Sequence, residues 1–273
     1  MSIKKILVPT DFSGVANSAA KVAVEIAKKA GAEVHLLNVV HIPSIDPYTP
    51  ADTITAITES GKEDAQQNLA KLSLELSGIT PKVHVKAGFA MDEILGFVES
   101  NAIDLIVMGT TGSSGVEEAL FGSNAAGIVG KSKVPVLSIP DEMKTFGVSD
   151  IVYASDLEKD DITVIEKLLG FAKVFNSNFH ILHVHNDDMH FTHDDPKVIF
   201  KDVVAKTGYP SLSYHQIEGE NTRATIEDFI EKMPCDIMSM AIHHRGFFDR
   251  IFHSSLTKKM VNHCHIPILT YYK

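Results

Sequence analysis

The sequence predicts an α/β protein made of two tandem doubly wound parallel five-stranded sheets, and three observations lead there. Short apolar runs alternate with amphipathic stretches, the signature of strands joined by crossover helices. The pattern then repeats, with Asp104-Leu-Ile-Val-Met-Gly109 returning as Asp236-Ile-Met-Ser-Met-Ala241, 132 residues later. Finally, 273 residues is about twice a small α/β domain on the usual range of ~100–200 residues. The predicted domains are 1–142 and 148–273, with a linker over about 141–148.

In the first half, Lys5-Ile-Leu-Val8 anchors a strand over 3–8. The helix over 14–30 has Val22, Ile26 and Ala30 on one side and Lys21, Glu25 and Lys28 on the other, ends at Gly31, and has Ser13 as its N-cap candidate. Strands follow at 33–40, 82–87, 104–108 and 134–139, and helices at 60–77, 91–100 and 116–131. The stretch His41 to Thr58, rich in Pro, Asp and Thr, reads as a mobile loop and a candidate lid. The second half restarts at Asp150-Ile-Val-Tyr-Ala-Ser-Asp156, so Asp156 stands where Asp11 stands. Strand 179–184 repeats 34–39, Gly219 corresponds to Gly88, and His265-Ile-Pro267-Ile-Leu-Thr repeats Val134-Pro135-Val-Leu-Ser.

The chemistry concentrates after the fourth strand, in Gly109-Thr-Thr-Gly112 followed by Gly122-Ser123-Asn124. Glycines allow main-chain N–H groups to approach a phosphate, and a helix N-terminus favours anions. Ordinary strand-to-helix turns also use glycine, so the spacing needs support. It comes from the first strand, which runs into Pro9-Thr-Asp11-Phe-Ser13 and an Ala-rich helix.

With these residues the chain resembles the universal stress protein family, tandem type, whose pattern is Gly-x2-Gly-x9-Gly-[Ser/Thr] after strand 4 and an Asp just after strand 1. Gly109, Gly112, Gly122, Ser123 and Asp11 meet both parts. The resemblance implies a Rossmann-like sheet of the adenine nucleotide α-hydrolase type and a doubled domain acting as an intramolecular pseudo-dimer. The closing strands near Val136 and Ile268 are its candidate contacts, and further homodimerisation stays open. It also implies ATP as ligand, with Mg²⁺ for charge neutralisation. Adenosine is placed against Pro9, Asp11 and the backbone at Val39 and Val40, and the phosphates on Gly109, Gly112, Gly122, Ser123 and Asn124. Asp11 has two readings, a hydrogen bond to the nucleoside or an Asx turn at a strand end.

Composition bounds the rest. No Walker Gly-x4-Gly-Lys-[Ser/Thr] occurs, and Pro9-Thr-Asp-Phe-Ser13 stands where a pyrophosphatase-type enzyme carries Ser-Gly-Gly-x-Asp-Ser. The expected function is therefore ATP binding and conformational signalling to an unnamed protein partner, with at most slow ATPase or autophosphorylating activity. A formal charge of −10 with scattered Lys and Arg disfavours nucleic acid and anionic membrane. No apolar run approaches a membrane span or signal-peptide core, and Cys235 and Cys264 read as buried reduced thiols of a cytoplasmic protein.

In the second half Ala241 and His244 replace Gly109 and Gly112, so the family's mode of ATP binding is not expected there, the added Cβ atoms blocking positive φ and phosphate space. That half holds 11 of the 14 histidines. Asp156, His183, His185, His243 and His244 fall at strand ends, where imidazole and carboxylate suit Zn²⁺, although the spacing is loose. The open alternatives are a zinc-responsive module, a pH-responsive one, or surface and capping histidines in a degenerate copy.

Overall fold

A computed structural model of the chain describes residues 2–42, 50–111, 122–141, 143, 145–155, 157–185, 195–242 and 266–272. The chain divides into two compact units, Ile3–Asp141 and the described residues from 142 onward.

In the first unit the elements run β1 (Lys5–Pro9), α1 (Gly14–Ala30), β2 (Glu33–Val40), α2 (Ala51–Glu75), β3 (Lys82–Ala87), α3 (Ala90–Asn101), β4 (Leu105–Gly109), α4 (Ser123–Val129) and β5 (Val136–Ile139). The sheet is parallel in the order β3-β2-β1-β4-β5. Strand order therefore reverses between β1 and β4, the place where open α/β sheets hold ligands at strand carboxyl ends. Ile6, Leu7, Val8, Leu105, Ile106 and Val107 are all fully buried, as central strands covered on both faces require. Helix α1 buries its Ala-rich side against them, and Ser13 caps it by accepting the Ala16 N–H at 3.3 Å. Its end is closed by Gly31 at φ +67°, a left-handed position suited to glycine.

The expected loop at His41 to Thr58 is corrected in part. Helix α2 begins at Ala51, so 51–58 is helical, while 43–49 lie outside the described residues. Periodicity missed this because the first two turns are largely exposed and only Ala65, Leu69 and Leu72 bury. The threonines suggested a loop, but the Thr55 and Thr58 hydroxyls donate back to the carbonyls of Ala51 at 3.0 Å and Ile54 at 2.8 Å. Helix α4 ends at Val129, short of the expected 131, and the expected segment 116–121 lies outside the described residues.

The second unit repeats the plan through β6 (Asp150–Ala154), α5 (Asp161–Phe175), β7 (Asn178–His185), α6 (Pro196–Thr207), β8 (Leu212–Glu218), α7 (Thr222–Lys232), β9 (Ile237–Ile242) and β10 (Ile268–Tyr272). Its parallel order is β8-β7-β6-β9-β10. One part of its core joins Val152, Leu182 and Val184 to Ile226, Phe229 and Ile230 of α7. Cys235 is half-buried against that cluster, not fully buried, and Cys264 lies outside the described residues.

The repeat extends to single hydrogen bonds. Asp104 accepts the N–H groups of Lys4 and Lys5 at 2.7 and 2.9 Å, and Asp236 accepts those of Ser149 and Asp150 at 2.6 and 3.1 Å. A carboxylate holding two backbone donors is a charge-assisted clamp, each bond contributing about 1.5–3 kcal/mol. It fixes the start of the first strand against the fourth in each unit. Likewise the Gly88 N–H reaches the Val40 carbonyl and the Gly219 N–H the His185 carbonyl, both at 3.0 Å.

Candidate nucleotide cleft

Above the carboxyl ends of β1 and β4 lies a cleft of about 580 Å³, within the usual range of about 300–1,000 Å³ for small-molecule sites. Of the nine residues predicted to bind nucleotide, Pro9, Asp11, Val39, Gly109, Gly122, Ser123 and Asn124 line it. Gly112 lies outside the described residues. Val40 is not among the lining residues, because alternate strand positions face opposite sides and its side chain packs towards Gly61 of α2. The structure adds residues that motif reasoning did not single out, chiefly Thr10, Asn38, His41, Phe89, Met91 and Met108. Only their positions at strand ends, in the β3 to α3 turn and at the start of α3 signalled them.

The turn after β1 is built by the threonine of Pro9-Thr-Asp. The Thr10 hydroxyl accepts the Phe12 N–H at 3.0 Å and thereby holds Phe12 in the left-handed region at φ +66°, a strained setting for a bulky residue. Asp11 Oδ1 accepts the Ser13 N–H at 3.1 Å, so the Asx turn is real, and the exposed carboxylate still lines the cleft. Asn38 of β2 ties the wall to this turn by donating to the Thr10 carbonyl at 2.8 Å. Val39, Met91, Met108 and Ile128 give the remaining wall an apolar surface suited to an aromatic ring.

Gly109 is required for a reason the sequence did not supply. It is the last residue of β4 without positive φ, and a Cβ there would stand 2.1 Å from Val15 Cγ1 of α1. Its role is close strand-to-helix packing at the floor of the cleft, so the argument from positive φ is corrected at this position. Gly122, also extended at φ −60° and ψ 156°, donates its N–H to the Thr110 carbonyl at 2.8 Å and opens α4.

The second unit keeps the turn and changes what stands over it. The Ser155 hydroxyl accepts the Leu157 N–H at 2.9 Å, and Leu157 has φ +53°. In the register of Asn38 stands His183, 1% exposed, its Nδ1 at 3.1 Å from the Ser155 carbonyl. This imidazole thus repeats the Asn38 bond. In the register of Ala16, which lines the first cleft, stands Asp161, also 1% exposed. Asp161 accepts from the Ser155 hydroxyl at 2.7 Å and the Glu158 N–H at 3.1 Å. Of the other zinc candidates, His185 ends β7, whereas Asp156, His243 and His244 lie outside the described residues. Among the described residues no group of three His, Cys, Asp or Glu side chains is placed to hold a metal ion.

Below the cleft wall, His35 of β2 and His84 of β3 form a stacked pair with Nδ1 to Nε2 at 3.1 Å, covered by Phe97 of α3. Burial is the main cause that lowers both imidazoles from their ordinary value, with the positive charge of Lys82 adding to each. The second unit repeats the trio as His180, His215 and Phe229, where burial likewise lowers His215.

Comparison with known proteins gives the family. The family described as the universal stress protein family matches twice, over residues 2–140 and 148–271. Universal stress protein MJ0531 of Methanocaldococcus jannaschii is 37% identical over 143 residues, covering 52% of this chain and 84% of its own. MJ0577 of the same organism is 29% identical over 152 residues, covering 50% and 94%. A crystal structure of a universal stress protein from Archaeoglobus fulgidus covers 100% of this chain and 97% of its own, with a TM-score of 0.74 at 21% identity, and so shares the fold. Among the described residues no helix is long and apolar enough to cross a membrane. With both halves matched and each built on the same five-stranded parallel plan, the chain belongs to the universal stress protein family, as a tandem of two such domains.

Proposed function

We propose that the first unit binds an adenine nucleotide, ATP with Mg²⁺, and that occupancy of its cleft signals energy status through conformation to a protein partner in a cytoplasmic stress response. The observation that carries this reading is the cleft at the β1/β4 switch point, lined by seven of the nine residues predicted from sequence. The apolar wall of Val39, Met91 and Met108 suits the base, and Asp11, exposed at the rim, suits a ribose hydroxyl or Mg²⁺. The N–H groups of Ser123 and Asn124, in the first turn of α4 and so without an intrahelical acceptor, suit phosphate oxygens. Bound Mg²⁺ would neutralise phosphate charge. Fast turnover is not part of the proposal, because no lysine or arginine lines the cleft among the described residues.

Calorimetric titration of the full chain with Mg-ATP tests the reading. Saturable binding supports it, and lack of binding by both Mg-ATP and adenosine contradicts it.

A further inference from the structure

Each unit links a carboxylate and two histidines in sequence. In the first, His35 is 4% exposed; its Nε2 faces the Glu33 carboxylate at 3.5 Å and its Nδ1 meets Nε2 of His84 at 3.1 Å. The carboxylate favours a proton on His35 Nε2, so His35 Nδ1 accepts and His84 Nε2 donates. In the second, Asp150 Oδ1 lies 3.1 Å from His180 Nε2, and His180 Nδ1 lies 2.7 Å from the Ser213 hydroxyl. That oxygen lies 3.0 Å from His215 Nε2. The same nitrogens serve in the same order, with a hydroxyl inserted between the rings. Ser213 lies opposite His180 in strand register and Lys82 opposite His35, so the hydroxyl of one unit is an exposed lysine in the other.

An N–H···N contact needs one nitrogen without a proton. It survives while one imidazole is charged; with both charged, two N–H groups and two positive charges meet at 3.1 Å. The surroundings do not relieve this. Lys5 of β1 and Lys82 and Lys86 of β3 are cations, and Glu33 is already held by Lys82 at 2.8 Å. Helix α3 covers the rings with Phe97, while its Glu93 lies against Gly88. In the second unit the Ser213 oxygen can accept from both charged rings, and Asp150 stands beside His180.

We propose that the His35–His84 contact is an acid-sensitive clasp on β3, closed while at most one of the two imidazoles is charged and opened when both are. Ser213 makes the matching contact on β8 tolerant of the same charge. Among the described residues β2 is the one strand neighbour of β3, so the contact fastens an edge strand. Burial chiefly lowers both imidazoles in the fold, and an opened strand restores their ordinary value. Opening therefore takes up protons and is favoured below about pH 6.5. The clasp is separate from the proposed nucleotide site and stands whether or not the cleft is filled.

Hydrogen exchange of the full chain tests this, read by mass spectrometry on fragments that hold Lys82–Ala87 and Leu212–Glu218 and corrected for the intrinsic rate. Between about pH 7.5 and about pH 5.5, β3 should lose at least about tenfold more protection than β8. His84→Phe should hold the protection of β3 level across that range. Lys82→Ser changes an exposed side chain, removes a cation and places a hydroxyl in the register of Ser213. It should cut the acid loss of β3 by at least about threefold. Equal loss from β3 and β8, or an acid loss from β3 that persists in His84→Phe or is undiminished in Lys82→Ser, overturns the proposal.

Discussion

After its first strand each unit makes the same left-handed turn, held by the Thr10 hydroxyl in one and by Ser155 in the other. Above the turn the units part. The first has Ala16, Asn38 and Gly109 around a cleft; the second has Asp161, His183 and Ala241 in the same register. Asn38 and His183 make the same bond to the carbonyl of the turn, so the two units share this scaffold and differ in the side chains set on it. One backbone turn therefore supports either an open cleft wall or a buried hydrogen-bonded carboxylate. Asp161 is buried with its carboxylate held by Ser155 and Glu158, an arrangement that stabilises the turn and repels an anion.

The largest difference between the units is expected at the glycine motif itself. Gly122→Arg should lower nucleotide affinity by at least about a hundredfold, since a long side chain enters the cleft, while circular dichroism and the thermal midpoint stay close to the parent. Retained affinity would place the ligand elsewhere.

The next largest effect concerns packing. Gly109→Ala sets a Cβ 2.1 Å from Val15 Cγ1 and should cost about 1–3 kcal/mol by overpacking, read from urea denaturation. Val15→Ala in the same chain should recover part of that loss. In the second unit Ala241 is tolerated where the residue in Val15's register is Asp160, the position just before α5 starts. A Gly109→Ala protein as stable as the parent would remove the packing account.

Exchanging Asn38 and His183 between the units has a smaller expected effect. Asn38→His should keep the bond to the Thr10 carbonyl and fold normally, yet reduce nucleotide affinity by about tenfold because the ring occupies the cleft wall. His183→Asn should change stability by less than about 1 kcal/mol, because the bond it must replace is one an asparagine makes at Asn38. A large loss for His183→Asn would mean that this imidazole does more than hold the turn.

The smallest expected effect is on pH. In the fold His35, His84 and His215 are pushed below the ordinary imidazole value, chiefly by burial. The unfolded chain therefore takes up protons first as pH falls, so these groups leave stability unchanged above about pH 6.5 and lower it progressively below. Urea midpoints should fall between about pH 7 and about pH 5.5, and His84→Phe should flatten that slope. A slope unaffected by His84→Phe would assign the acid sensitivity to other groups.

Much of this architecture was legible in the sequence because the strands are short apolar runs bounded by Asp and Gly, and because the repeat offers each element twice. The cleft was legible where a backbone pattern announced it, at Asp11, Gly109 and Gly122-Ser123. What stayed hidden depends on side chains meeting across elements. Asn38 is one polar residue in an apolar strand, and only its bond to the Thr10 carbonyl gives it meaning. The clash that excludes a side chain at Gly109 comes from Val15, 94 positions earlier. The start of α2 was hidden for a different reason, since its exposed first turns show no apolar period and its threonines satisfy themselves within the helix.

The two units differ most in the proposed occupancy, one nucleotide site per chain, in the first unit. Its most direct test is the stoichiometry of Mg-ATP binding to the full chain, measured calorimetrically for the parent, Gly122→Arg and His183→Asn. The expected stoichiometry is one site in the parent, none in Gly122→Arg and one in His183→Asn. Two sites in the parent, or a site that survives Gly122→Arg and vanishes in His183→Asn, would contradict it.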